Sequence, residues 1–109
     1  MPGNKARVTL RHMNFQQRVE GAKRFRQYIL NRDRWICYIC NAKLDASGTD
    51  ARGTIDHLVP VSRGGARYSS KNVRACCRTC NVSKGCLTFD EYEIVLLYRQ
   101  GLIEIKAAA

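Results

Sequence analysis

Two sets of residues in this sequence have the types and spacing for chemistry. The first is a pair of Cys-x-x-Cys knuckles, Cys37/Cys40 and Cys77/Cys80. Two such knuckles can present four thiolates to one ion, and the softness of sulfur selects zinc over hard cations. A redox site would need only one pair, and a disulfide framework suits secreted chains, so structural zinc is the expected use. Cys76 and Cys86 are left over, and Cys76 is expected to pack beside the knuckle as a buried, inert thiol. The second set lies in and just after the segment between the knuckles: Asp56-His57, Asn72 and Asn81. A carboxylate and an amide supply hard oxygen ligands for Mg²⁺ or Mn²⁺, and a neighbouring imidazole is a base able to activate water. Taken singly, each of these is an ordinary structural residue: a hydrogen-bonded histidine, a turn asparagine, a polar helix position, a strand-end carboxylate. Their convergence depends on the knuckles closing the chain between them.

That closed segment is long. Cys40 and Cys77 are separated by 36 residues, against roughly 15–20 in an ordinary zinc ribbon. A metal clipping its ends would supply folding energy to a small core and would leave no open coordination position for catalysis.

The elements that must carry these residues can be read from periodicity. Phe15, Val19, Ala22, Phe25 and Ile29 recur at three- and four-residue steps and predict an amphipathic helix over 14–31, with Asn14 as N-cap, an apolar core-facing stripe, and Arg18, Lys23, Arg24 and Arg26 on the other face. Residues 35–44 read as a strand interrupted by the first knuckle, and 54–61 as the next strand. A short helix is expected from Arg78 to Lys84, and Thr88-Phe89-Asp90-Glu91 is a capping box opening a helix over about 89–100. Leu102 to Ile105 could add an edge strand. Residues 1–13 read as a basic arm and 106–109 as a tail of no structural role, leaving 14–105 as one domain.

The chain has 109 residues and a net charge of +10. Residues 1–36 carry +7, residues 37–86 carry +5 and residues 87–109 carry −2. Positive charge confined to the first two thirds is the footprint of a polyanionic partner, although a basic surface can also serve solubility alone. No Trp/Leu-rich face accompanies the basic stretch, which argues against a membrane surface. The longest apolar run, Ile94 to Tyr98, is far short of the roughly 20 residues of a membrane span. No secretory signal is visible, so a cytoplasmic location is expected.

The order Asp56-His57-Leu58-Val59-Pro60, Ser62-Arg63-Gly64-Gly65, Asn72-Val73-Arg74-Ala75-Cys76-Cys77-x-x-Cys80-Asn81-x-x-Lys84-Gly85 resembles the HNH endonuclease family in its zinc-stapled four-cysteine form. The resemblance covers about residues 33–86. It implies a small α+β fold, a ββα-metal unit of hairpin and helix around one catalytic cation. It implies that His57 is the general base, that Asp56 and Asn81 hold Mg²⁺ or Mn²⁺, and that Asn72 keeps the histidine-bearing hairpin in register by bonding its backbone. The third signature position, often histidine, is here Asn81. Adjacent strand residues face opposite sides, so Asp56 and His57 can serve one phosphate only if the strand ends, bulges or twists there. The implied partner is DNA, double-stranded, cut by a monomer or weak dimer, with Arg18, Lys23, Arg24, Arg26, Arg52, Arg63, Arg67 and Lys84 as candidate contacts. The alternative from another class is a non-catalytic zinc-ribbon module that binds DNA or RNA; a zinc adaptor for protein partners leaves the basic segments without a purpose.

Overall fold

The computed structural model describes residues 13–106. The elements run in the order α1 (Phe15–Arg32), β1 (Gly53–His57), β2 (Val73–Cys77), α2 (Arg78–Lys84) and α3 (Phe89–Arg99), with a 3-10 turn at Val61–Arg63 between the strands. β1 and β2 form a two-stranded antiparallel sheet in which Gly53 faces Cys77 and His57 faces Val73. This is the expected small α+β arrangement of helices around one hairpin. The expected basic arm falls almost wholly outside the described residues, as do residues 107–109 of the tail.

α1 begins where its first free N–H groups find partners. The Asn14 side chain accepts from the Gln17 amide at 2.8 Å, and the Gln17 side chain accepts from the Asn14 amide at 3.0 Å. The helix ends because Arg34 and Trp35 both adopt positive φ, 58° and 55°, which no right-handed helix can continue. The turn is held by Trp35 N donating to Leu30 O and Trp35 Nε1 donating to Asn31 Oδ1, both at 2.9 Å. The predicted apolar stripe is not a core stripe over its length: Phe15 is 82% exposed, while Ile29 and Leu30 are buried. Only the last turns of α1 reach the hairpin; before them Phe25 is half-buried edge-on against Tyr68, ring centroids 5.4 Å apart, and the first turns lie in solvent.

Two further expectations differ from the structure. Residues 35–44 make no strand; a single bridge joins Ile36 to Lys43, because the knuckle turn is tight enough to leave no room for a ladder. Residues 102–105 form no edge strand either.

The core is small and rich in cysteine. Leu30, Leu44 and Ala75 pack with Cys37, Cys76 and Cys77, and Trp35, Tyr38, Ile39 and Cys80 close around them. The end of α1 clamps the outer edge of β2. Arg32 donates to Val73 O and Ser70 O, each at 2.6 Å, and Asp33 Oδ2 accepts from the Ala75 amide at 2.8 Å. That satisfies edge groups which a two-stranded sheet otherwise leaves unpaired. α3 opens with the predicted capping box, Thr88 N donating to Glu91 Oε1 at 2.9 Å and Glu91 N to Thr88 Oγ1 at 3.2 Å. Its one buried residue, Tyr92, donates its hydroxyl to Ser83 Oγ at 2.8 Å and so ties α3 to α2.

Candidate active site and metal cluster

The knuckles meet as their spacing suggests. The Sγ atoms of Cys37, Cys40, Cys77 and Cys80 all lie within 4.8 Å of one another. A tetrahedral zinc–thiolate site with bonds of about 2.3 Å has sulfur–sulfur edges of about 3.8 Å, and Cys40 Sγ stands 3.8 Å from Cys77 Sγ. The electrostatics favour a cation. Hydrogen bonding with the buried Cys76, 4.0 Å away, holds Cys37 down at about 3, whereas desolvation pushes Cys77 and Cys80 up. Crowded sulfurs that cannot all ionise alone are the donor set a divalent ion resolves. The cluster could hold a zinc ion. Cys76 is fully buried against it, as expected of an inert thiol.

β1 carries Asp56 and His57 as its last two residues, and they leave the strand in different directions. His57 Nε2 lies 2.9 Å from Arg67 O. A carbonyl only accepts, so Nε2 carries a proton in this contact, and in the neutral ring that leaves Nδ1 with its lone pair. Arg67 therefore reaches the site through its backbone. The loop that supplies this carbonyl is fastened by Asn72: its Oδ1 accepts from Val59 N, and its Nδ2 donates to Val59 O and Ala66 O, all at 3.0 Å. Gly65 makes that closure possible, since a Cβ there would stand 1.8 Å from Val59 O and 2.9 Å from Asn72 Nδ2. Asn72 thus bonds the backbone two residues beyond the histidine, at Val59.

Asp56 points inward. It is 6% exposed; Tyr38 donates its hydroxyl to Oδ2 at 2.5 Å, and the Lys84 ammonium stands 3.2 Å from Oδ2 and 3.3 Å from Oδ1. Lys84 also donates to His57 O at 2.9 Å. Lys84, a candidate nucleic-acid contact from its sequence position, is corrected here: it is 1% exposed and cannot touch a polyanion. Its stem passes through the interface of α2 with the hairpin because its ammonium has a buried carboxylate to pair with. Tyr38 is the residue that sequence reasoning missed. Its place inside the first knuckle concealed it, since Cys37-Tyr38-Ile39-Cys40 reads only as a metal motif.

On α2, Asn81 Nδ2 donates to Thr54 Oγ1 at 3.1 Å and to Ile55 O at 3.0 Å. With both amide hydrogens committed to β1, its Oδ1 is the atom free to act as a ligand. Of the remaining candidates, Arg63 is taken by an ion pair with Glu91, and Lys23 pairs with Glu20 at 3.7 Å on the surface of α1. Arg18 and Arg24 are exposed on the same helix.

The sequence model of the HNH endonucleases matches residues 37–92, from the first knuckle into α3. The chain belongs to the HNH endonuclease family. A search of curated proteins gives no match. The matched span holds the whole cysteine cluster, the hairpin and α2, and it runs past the sequence resemblance as far as Tyr92, the anchor of α3. HNH membership carries a nuclease-type function on nucleic acid. No described helix is long and apolar enough to cross a membrane.

Proposed function

We propose that this HNH protein is a metal-dependent DNA endonuclease in which His57 is the general base. The observation that supports this most directly is the His57–Arg67 contact, because it fixes the tautomer a base needs. Nδ1 takes a proton from water, the resulting hydroxide attacks phosphorus, and the P–O3′ bond breaks; the departing 3′ oxygen takes its proton from a solvent water, leaving 5′-phosphate and 3′-hydroxyl ends. Lys84 holds the backbone carbonyl of His57, and Asn72 holds the loop that carries Ala66 and Arg67, so the imidazole is oriented from both sides.

The cation reading assigns Asp56 and Asn81 as the holders of Mg²⁺ or Mn²⁺. Carboxylate and amide oxygens have the hardness these ions require. When bound, the ion stabilises negative charge on the phosphate and on the leaving oxygen. Lys84 already sits against the Asp56 carboxylate, so a bound metal would share its oxygens with the ammonium and be repelled by it. The four-cysteine cluster holds structural zinc in this reading and takes no part in cleavage.

The test is incubation of supercoiled plasmid with the protein and Mg²⁺, Mn²⁺ or EDTA, beside His57→Ala. Nicking should require the divalent ion and fall at least about 100-fold in the variant, with far-UV circular dichroism and zinc content unchanged. A His57→Ala protein that cuts like the parent removes His57 as the base.

A further inference from the structure

An open cleft of about 380 Å³ is walled by Arg26 of α1, Arg52 of the turn before β1, and Arg78 of α2, with Gly53, Thr54, Asn81 and Val82 completing it. All three arginines are exposed, and none of their side chains has a hydrogen-bond or ion-pair partner among the described residues. No carboxylate lines the cleft. Asp45, which shares the adjoining hollow with Arg26 and Arg52, is turned into its own loop, where it accepts from the Ser47 amide at 2.8 Å. Arg78 also borders a neighbouring hollow lined by Asp50. Three guanidiniums from separate elements therefore converge on one opening whose own lining holds no counter-charge, and their mutual repulsion favours entry of an anion. Planar forks of this kind suit the two free oxygens of a phosphodiester.

We propose that this cleft is the seat of a DNA backbone phosphate beside the scissile bond, with Arg78 as its third arm. Arg78 is the new member, since its place inside the second knuckle, Cys77-Arg78-Thr79-Cys80, reads only as part of a metal motif. The placement follows from Asn81, whose side chain sits in the cleft wall while its amide is bonded to β1, the strand that ends in His57. A phosphate gripped there feeds the adjoining backbone along β1 toward the imidazole. The inference rests on the nuclease reading for the identity of the substrate, but binding can be measured without cleavage.

The experiment uses fluorescence anisotropy of a labelled DNA duplex of about 20 base pairs, titrated at several KCl concentrations with the His57→Ala protein, so that no strand is cut. Arg78→Ala, Arg52→Ala and Arg26→Ala are each introduced, and Lys43→Ala serves as an exposed cation outside the cleft. Each cleft variant should lower the slope of log K against log salt by about 1, and the triple variant by about 3. Lys43→Ala should leave the slope unchanged. Equal losses from Lys43→Ala and Arg78→Ala would show a diffuse positive field and overturn the cleft. Slope losses confined to an RNA duplex of the same sequence would overturn DNA as its occupant. If the parent never nicks plasmid yet the arginine variants lose slope, the nuclease reading fails and the cleft stands. If the parent nicks and the slopes hold, the cleft alone fails.

Discussion

At the scale of single residues, the buried Lys84–Asp56 pair is the least ordinary feature. An ammonium and a carboxylate at 3.2 Å, with side chains 0% and 7% exposed, are stable only as partners. Tyr38 adds a hydroxyl to the same carboxylate and is itself pushed well above the usual phenol range, by burial first and by that bond second. Removing the cation alone leaves a buried charge without compensation. Lys84→Met should therefore destabilise the protein by about 3–5 kcal/mol, measured by urea denaturation with zinc present. The double variant Lys84→Met/Asp56→Leu should recover much of that loss, because charge and counter-charge leave together. A single variant as stable as the parent would mean that the pair carries no structural weight. The same pair bears on chemistry, since the carboxylate that would hold a cation already has one beside it.

At the scale of elements, α3 is joined to the rest by few contacts, and one of them is sensitive to acid. Arg63, at the end of the 3-10 turn, pairs with Glu91 in the first turn of α3. Hydrogen bonds from Arg63 and from the Thr88 amide hold the Glu91 carboxyl down at about 2, below its ordinary 4.5. A carboxylate depressed in the folded state contributes stability above its unfolded pKa, and the contribution fades as pH falls from about 4.5 toward 2. The melting temperature of the parent should exceed that of Glu91→Gln at pH 6, and the gap should close across that window. Comparison of the two proteins cancels whatever acid does to the cysteine cluster, which they share. A constant gap from pH 6 to pH 2 would exclude the ion pair as its source. The helices also show where periodicity misleads. α1 has a regular apolar stripe, yet Phe15 and Val19 lie in solvent, because the hairpin is too short to meet them.

At the scale of the whole molecule, the cysteine cluster joins the first knuckle to the β2–α2 junction and closes the segment that contains the candidate site. The core it borders holds few large apolar side chains: Ile29 and Leu30 from α1, Leu44, Val73 and Tyr92. So little buried area is marginal for a chain of this length, and metal binding to thiolate clusters can contribute about 10–16 kcal/mol. Zinc removal by a strong chelator should abolish the cooperative thermal transition, and Cys40→Ser, at an exposed ligand, should do so in part. Elemental analysis should return one zinc per chain. A metal-free protein that melts as the parent does would show that the cluster is dispensable for the fold.

What the sequence determined by itself was whatever depends on residue type and on spacing along the chain. Two knuckles with four soft ligands, the Asp56-His57 and Asn72 and Asn81 positions, the helix caps at Asn14 and Thr88, and the confinement of positive charge to the first two thirds are all legible there. A ligand count, a cap and a net charge are local or additive quantities. Direction and occupancy are not, and those only the tertiary structure decided. Asp56 and His57 are neighbours in sequence, but strand geometry sends one to a buried lysine and the other to a loop carbonyl. Lys84 reads as one more surface cation until α2 is laid across the hairpin. Arg26, Arg52 and Arg78, spread over 53 positions of chain, become one cleft only because α1, the turn before β1 and α2 meet at a single edge. Which charges face one another is fixed by long-range packing, and packing is the one property that no local pattern contains.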